Sequence, residues 1–166
     1  ILVARDADDP AVPFLRLMAD GGAGEFRCKK IRQVLAGYAV KCGQKNHNLL
    51  AGIKTAEPGR AVLVFCDAGH WATEPWLRNL VRPIPAGAAD VSTGYHYGCP
   101  ADSSMVSAGR TAMILALDRM QSQPRLVETW GGNTAIRRIV FDRLGIESVW
   151  SRTIVDDVTL TARLKQ

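Results

Sequence analysis

The chain has 166 residues, 47% of them hydrophobic, which suits one globular domain with a sizeable core. Its net charge of +5 comes from 21 Lys and Arg against 16 Asp and Glu. The cations are scattered apart from short pairs such as Lys29-Lys30 and Arg137-Arg138, so the sequence lacks the clustered basic face with interleaved aromatics that nucleic acid requires. Basic character toward a membrane surface or a diphosphate stays open. The four cysteines, Cys28, Cys42, Cys66 and Cys99, form no CxxC pair; this argues against a zinc site or a disulfide framework and for reduced, cytosolic and mostly packed thiols. No apolar run approaches the ~20 residues of a membrane span. The chain opens on Ile1 inside a strand-like run with no leader, which suggests a piece of a longer protein.

Residues 1–4 predict a strand that delivers Asp6, Asp8 and Asp9, and Pro10 opens a predicted helix from Ala11 to about Met18. Crowded carboxylates repel unless a cation or hydrogen-bond donors satisfy them; the alternative is a solvated turn with Asp9 as the helix cap. After a glycine loop at 21–24, a basic and apolar segment runs over 26–40, with a strand near 32–40. In CGQKNHNLLAGIKTAEPG, Leu49, Leu50, Ile53 and Ala56 fall at helical spacing, and Pro58-Gly59 closes the helix. Lys45 and Asn48 stand at its opening turn, where backbone N–H groups and the helix dipole favour an anion. Lys45 there either binds phosphate or is one more solvated lysine.

Residues 61–65, a Val-rich apolar run between Gly59 and Asp67-Ala68-Gly69, predict a strand buried on both faces. Asp67 then stands at the carboxyl end, the edge where open α/β sheets bind ligands, within reach of a metal ion or a polar substrate. The alternative is an aspartate that caps the turn. A helix follows from Thr73 or Glu74 to about Val81, ended by Pro83 and Pro85, and 91–97 read as a strand. Over 107–120 a helix places Met113, Ile114, Leu117 and Met120 on one face, a pattern more typical of core than of a membrane contact. In VETWGGNTAI (127–136) the adjacent Gly131 and Gly132 mark a bend or a close approach of backbone to ligand. A short helix over 137–144 ends at Gly145. TIVDDVTLTARL (153–164) then predicts a helix with Ile154, Val158, Thr161 and Leu164 on one face. Asp156 and Asp157 stand at its start, where the dipole alone also favours them.

RDADDPA (5–11), GQKNHNLLAG (43–52), VFCDAG (64–69), WGGNTAIRR (130–138) and IVDDVTLT (154–161) together resemble the ceramide glucosyltransferase-like branch of glycosyltransferase family 2, which includes bacterial hopanoid-type lipid glycosyltransferases. Each motif is weak alone; the five occur in the family's order across nearly the whole chain. The resemblance implies a single α/β catalytic domain of GT-A type over 1–166, a Rossmann-like three-layer arrangement with a mostly parallel sheet, truncated at both ends. It implies inverting transfer of a hexose, glucose by preference, from a UDP-sugar to the hydroxyl of a lipid. Asp9 matches the first aspartate of the family signature, and Asp6 would lie near the nucleoside. Asp67 matches the metal and diphosphate aspartate, implying Mg²⁺ or Mn²⁺. Asp157 looks like the general base, with Asp156 replacing the glutamate common before it. Lys45 matches a family lysine grouped with the nucleotide-sugar site, its target open, and Trp130, Gly131 and Gly132 resemble the acceptor-side wall.

Gly69 stands where many family members have a second aspartate, so metal binding would rest on Asp67 alone. The family's first strand, expected before Ile1, and the (Q/R)xxRW element with its membrane helices, expected after Gln166, are absent from the sequence. The resemblance therefore implies a membrane-associated enzyme with its catalytic domain on the cytoplasmic side, held to the membrane by those regions, and no nucleic-acid partner. Two other readings stay in view: a processive polysaccharide synthase of the same superfamily, and a GT-A domain that binds nucleotide without catalysis. No GxGxxG follows an early strand, which argues against a nicotinamide domain.

Overall fold

The computed structural model describes residues 1–21, 30–95, 100, 102–121, 123 and 127–166. Cys28, Cys99, most of the predicted glycine loop and the Tyr97 end of the predicted fourth strand lie outside them. In chain order the elements are β1 (Leu2–Ala4), α1 (Val12–Asp20), β2 (Gln33–Leu35), α2 (Gln44–Thr55), β3 (Val62–Cys66), α3 (Trp76–Val81), β4 (Val91–Thr93), α4 (Met105–Gln121), β5 (Asn133–Arg137), α5 (Arg138–Arg143), α6 (Ile146–Trp150) and α7 (Asp157–Leu164). The architecture is mixed α/β. The chain divides into two compact units: Ile1–Leu63 with Arg138–Gln166, and Val64–Arg137.

In the first unit, β1 pairs with β2 in parallel, with Val3 opposite Val34. The acidic turn after β1 bends because side chains take up its amides. Asp6 accepts the N–H of Asp8 at 3.0 Å, and Asp9 accepts that of Ala11 at 3.0 Å. The helix then begins at Val12 with Pro13 in its first turn, so Pro10 belongs to the turn rather than to the helix start. β2 is shorter than the predicted strand because Gly37 follows it with a φ of 80°, which ends the extended backbone. α2 packs tightly on β1: a Cβ on Gly52 would stand 3.1 Å from a methyl of Val3. Leu50 and Ile53 are buried, as the periodicity predicts.

The short helix predicted over 137–144 is α5. The sequence reading does not anticipate α6, which follows once Gly145 adopts a φ of 63° and redirects the chain. Ile146 and Trp150 of α6 are fully buried, and Phe141 meets Trp150 edge to face at 5.5 Å. α7 starts at Asp157, and its buried residues are Leu160 and Thr161. The predicted face is thus corrected: Ile154 precedes the helix, and both it and Val158 are exposed. A start four residues after Thr153 takes the earlier apolar residues off the helical stripe.

In the second unit the sheet order is β3-β5-β4. β5 runs antiparallel to β4, with Ser92 opposite Ala135. The ladders therefore divide between parallel and antiparallel rather than running mostly parallel. Apolar runs look alike in either direction, so periodicity carries no information on ladder polarity. Asn133 to Ile136 of β5 are buried without interruption. The strand expected to be buried on both faces, β3, is not: Leu63 and Phe65 are buried, whereas Val62 and Val64 are half-buried and Cys66 is exposed. Cys42 is half-buried, so the expectation of packed thiols fails at Cys66.

α4 also departs from expectation. None of its residues is buried, and Met113, Leu117 and Met120 are exposed. The half-buried positions are Ser107, Thr111, Ile114, Asp118 and Gln121, a stripe at helical spacing with a single aliphatic member. A periodic apolar face says which residues share a side, but not that anything covers it. Among the described residues no helix is long and apolar enough to cross a membrane.

Candidate functional site

In the second unit the side chain that organises its surroundings is Asp67, just beyond β3. Its N–H donates to the Gly132 carbonyl at 3.0 Å. Its carboxylate lies so close over that glycine that a Cβ there would stand 2.2 Å from Oδ2. The paired glycines read as a bend or a close approach of backbone to ligand; at Gly132 what approaches is the Asp67 side chain. Gly69 faces open space, with nothing within 4 Å of an added Cβ.

The turn carrying Gly132 is braced by polar groups. Trp130 donates its N–H to Oγ1 of Thr93 at 2.8 Å, and its carbonyl accepts the N–H of Asn133 at 2.9 Å and the hydroxyl of Thr134 at 2.6 Å. Buried Asn133 accepts the indole N–H of Trp76 at 2.9 Å. The Trp130 ring, half-buried, meets Tyr95 edge to face at 5.4 Å and His70 at 6.2 Å. Beside Asp67, the Cys66 thiol has its pKa raised, by partial burial of the sulfur and then by the Asp67 charge; the thiol form is favoured over the reactive thiolate.

The first unit holds the other predicted residues. Asp6 receives the Arg5 guanidinium at 2.8 Å, and this bond, followed by one from Tyr38, holds its carboxyl below the usual aspartate value. Arg5 also lies over the Tyr38 ring at 4.8 Å. Asp6 and Asp9 thus find donors within their own loop, as their crowding demands.

At the other end of this unit, the first turn of α2 meets the segment leading into α7. Gly43 donates its N–H to the Thr153 carbonyl at 3.0 Å. Asn46, fully buried, donates to the same carbonyl at 2.9 Å and lies 3.2 Å from the Thr153 hydroxyl. Nζ of Lys45 stands 3.1 Å from Oδ2 of Asp156, whose side chain is 5% exposed. Trp150 donates its indole N–H to the Asp156 carbonyl at 3.1 Å. Asp157 follows as the first residue of α7, half-buried, with Oδ1 2.7 Å from the N–H of Val158. Asn48, the other polar residue predicted at the opening of α2, accepts from Gln44 at 2.8 Å.

Motifs far apart in sequence thus meet within each unit. VFCDAG meets WGGNTAIRR in one, and GQKNHNLLAG meets IVDDVTLT in the other. Asp67, Trp130, Gly131 and Gly132 belong to the second unit; Asp6, Asp9, Lys45, Asp156 and Asp157 belong to the first. Sequence reasoning missed His70 and Tyr95 around Trp130, and Asn46 beside Lys45, whereas Asn133 closes the turn that it had singled out. Only His70, in the turn that starts at Asp67, carried a local signal.

Among the described residues no three of His, Cys, Asp and Glu gather to enclose a metal ion. Asp67 offers one hard carboxylate, and Mg²⁺ is commonly held by one or two carboxylates with phosphate and water completing the shell. A single carboxylate of this kind fits a metal shared with a diphosphate. Comparison with family models, curated proteins and solved structures finds no match for this chain.

Proposed function

We propose that this chain is the catalytic core of an inverting, membrane-associated glycosyltransferase of GT-A type that moves a hexose from a UDP-sugar to a lipid hydroxyl. The observation that carries this reading is the seat of Asp67 over Gly132. The two motifs expected to supply the metal carboxylate and the acceptor-side wall are in contact, and the glycine is required by that contact. The pairing of α2 with the Asp156-Asp157 corner is a second meeting of expected motifs.

In this reaction Asp157 takes the proton of the acceptor hydroxyl as its oxygen bonds to the anomeric carbon. The bond from that carbon to the phosphate oxygen breaks, and UDP departs with the electron pair. General-base help of this kind contributes ~10²–10⁴ in rate. Asp67 would hold Mg²⁺ or Mn²⁺, which supplies neutralisation of the diphosphate charge. Trp130 offers an aromatic edge, and Tyr95 and His70 fix its ring. Asp6 and Asp9 shape the loop at the carboxyl end of β1, assigned to the nucleoside.

The test measures hexose transfer from labelled UDP-hexose to lipid in membranes that contain the protein. Monoglycosylated lipid in the wild type and loss of transfer in Asp157→Asn are expected. A wild-type rate in that variant refutes the base. Polymer as the product favours a processive synthase, and UDP binding with no product favours a non-catalytic domain.

A further inference from the structure

Lys45 has two candidate partners: the donor diphosphate, suggested by its place at the start of α2, and Asp156, beside which it stands. Resting on the glycosyltransferase reading, we infer that Lys45 is a positioning residue that acts through Asp156 to hold Asp157 in place, and that it does not bind the diphosphate.

Asp156 is the buried partner of Lys45. It occupies the residue before α7, where an aspartate ordinarily turns its side chain onto the first free amides of the helix. Here it makes no such cap. Its carboxylate is instead buried, and among the described residues no aligned hydrogen-bond donor reaches Oδ2. The Lys45 ammonium at 3.1 Å supplies the counter-charge. A buried carboxylate without a partner is strongly unfavourable, so any movement of Lys45 toward a phosphate would strip Asp156 of its compensation.

The pair is also part of a built corner. A Cβ on Gly43 would stand 2.4 Å from the Ile154 carbonyl oxygen, so the two backbones are in direct contact. Asn46 and the Gly43 N–H both bind the Thr153 carbonyl, and the Trp150 indole binds that of Asp156. Lysine in the first turn of a helix is opposed by the helix dipole; a carboxylate opposite it offsets that cost. Each contact restrains the backbone within four residues of Asp157. The corner as a whole sets where the proposed base points, and Lys45 is its cationic member.

The experiment compares wild type with Lys45→Met, Lys45→Arg, Asp156→Asn and the double variant Lys45→Met/Asp156→Asn. Three readouts are taken: hydrogen exchange at the start of α7, calorimetric affinity for UDP with Mn²⁺, and kcat for transfer. Exchange does not depend on activity, so it tests the corner even if the enzyme reading fails. Lys45→Met is expected to speed exchange at residues 157–160 and lower kcat on the order of 10²-fold, the scale for a misplaced catalytic group. UDP affinity is expected to stay within twofold of wild type. Lys45→Arg should restore exchange and rate, and the double variant should recover protection relative to Lys45→Met because no buried charge remains. Unchanged exchange in Lys45→Met, or a tenfold loss of UDP affinity with kcat intact, overturns the proposal.

Discussion

Two aspartates of this chain stand at element boundaries in similar sequence settings, yet their surroundings are opposite. Asp156 is buried, matched to Lys45 and enclosed by bonds from α2 and Trp150. Asp67 is half-buried and held from below by the backbone of Gly132, with open space at Gly69 two residues on. One carboxylate is committed to the protein's own cation. The other lies against a glycine, whose missing Cβ leaves the room that the carboxylate occupies. A carboxylate matched to an internal lysine suits positioning.

That contrast can be broken first at the charged corner. Asp156→Ala removes the ion pair with Lys45 and opens a cavity, and Lys45→Met takes the ammonium away from the buried Asp156 carboxylate. Breaking a fully buried pair costs ~3–5 kcal/mol, and the partial exposure of Lys45 reduces this to about 2–3 kcal/mol for the lysine variant. Denaturant unfolding measures it, and a loss below about 0.5 kcal/mol would show that the pair is solvated in practice.

The Asp67 seat should respond to size. Gly132→Ala places a methyl against the carboxylate, where overpacking of this kind costs ~1–3 kcal/mol. The same variant is expected to weaken binding of UDP with Mn²⁺ by displacing Asp67. Gly69→Ala, in open space, should stay within about 0.5 kcal/mol of wild type. Equal stability and equal UDP affinity in the two variants would remove the distinction. Gly69→Asp fits sterically as well, and a second carboxylate there should tighten Mn²⁺ binding in the presence of UDP.

The smallest effect is a pH dependence at α4. Asp102 has its carboxyl lowered to about 2, by hydrogen bonds from the Ser104 and Ser107 side chains and from the Ser104 N–H. The folded value lies below the ~3.9 of an unfolded aspartate. Its contribution is therefore complete above about pH 4 and is lost as the pH falls toward 2. Hydrogen exchange over 105–110 should rise through that window, and Ser104→Ala should move the rise to higher pH. Asp6, lowered chiefly by Arg5, should follow the same sign, with Arg5→Gln returning it toward the ordinary value.

Much of the fold was legible because local chemistry writes it. The three-residue strand at Leu2–Ala4 ends where aspartate side chains take up backbone amides, and α2 ends before Pro58, whose ring disfavours helix in the residue ahead of it. The Asp67 turn was legible for the same reason, since an apolar run stopping on Asp and Gly marks a strand end. α6 was not legible, because it depends on Gly145 taking a positive φ, which a glycine permits without announcing. The apolar side of α4 was read as core, yet exposure depends on neighbours that periodicity does not contain.

The sequence by itself determined the order of the elements apart from α6, the carboxylates at their boundaries and a bend or close approach at the paired glycines 131–132, because propensity, capping and close approach act over a few residues. Only the tertiary structure decided which boundary aspartate is buried against a lysine and which lies over a glycine. Lys45 and Asp156 are more than 100 positions apart, and so are Asn46 and Thr153. Whether such groups meet is settled by the packing of α2 against α6 and by the backbone contact at Gly43, which no local pattern encodes.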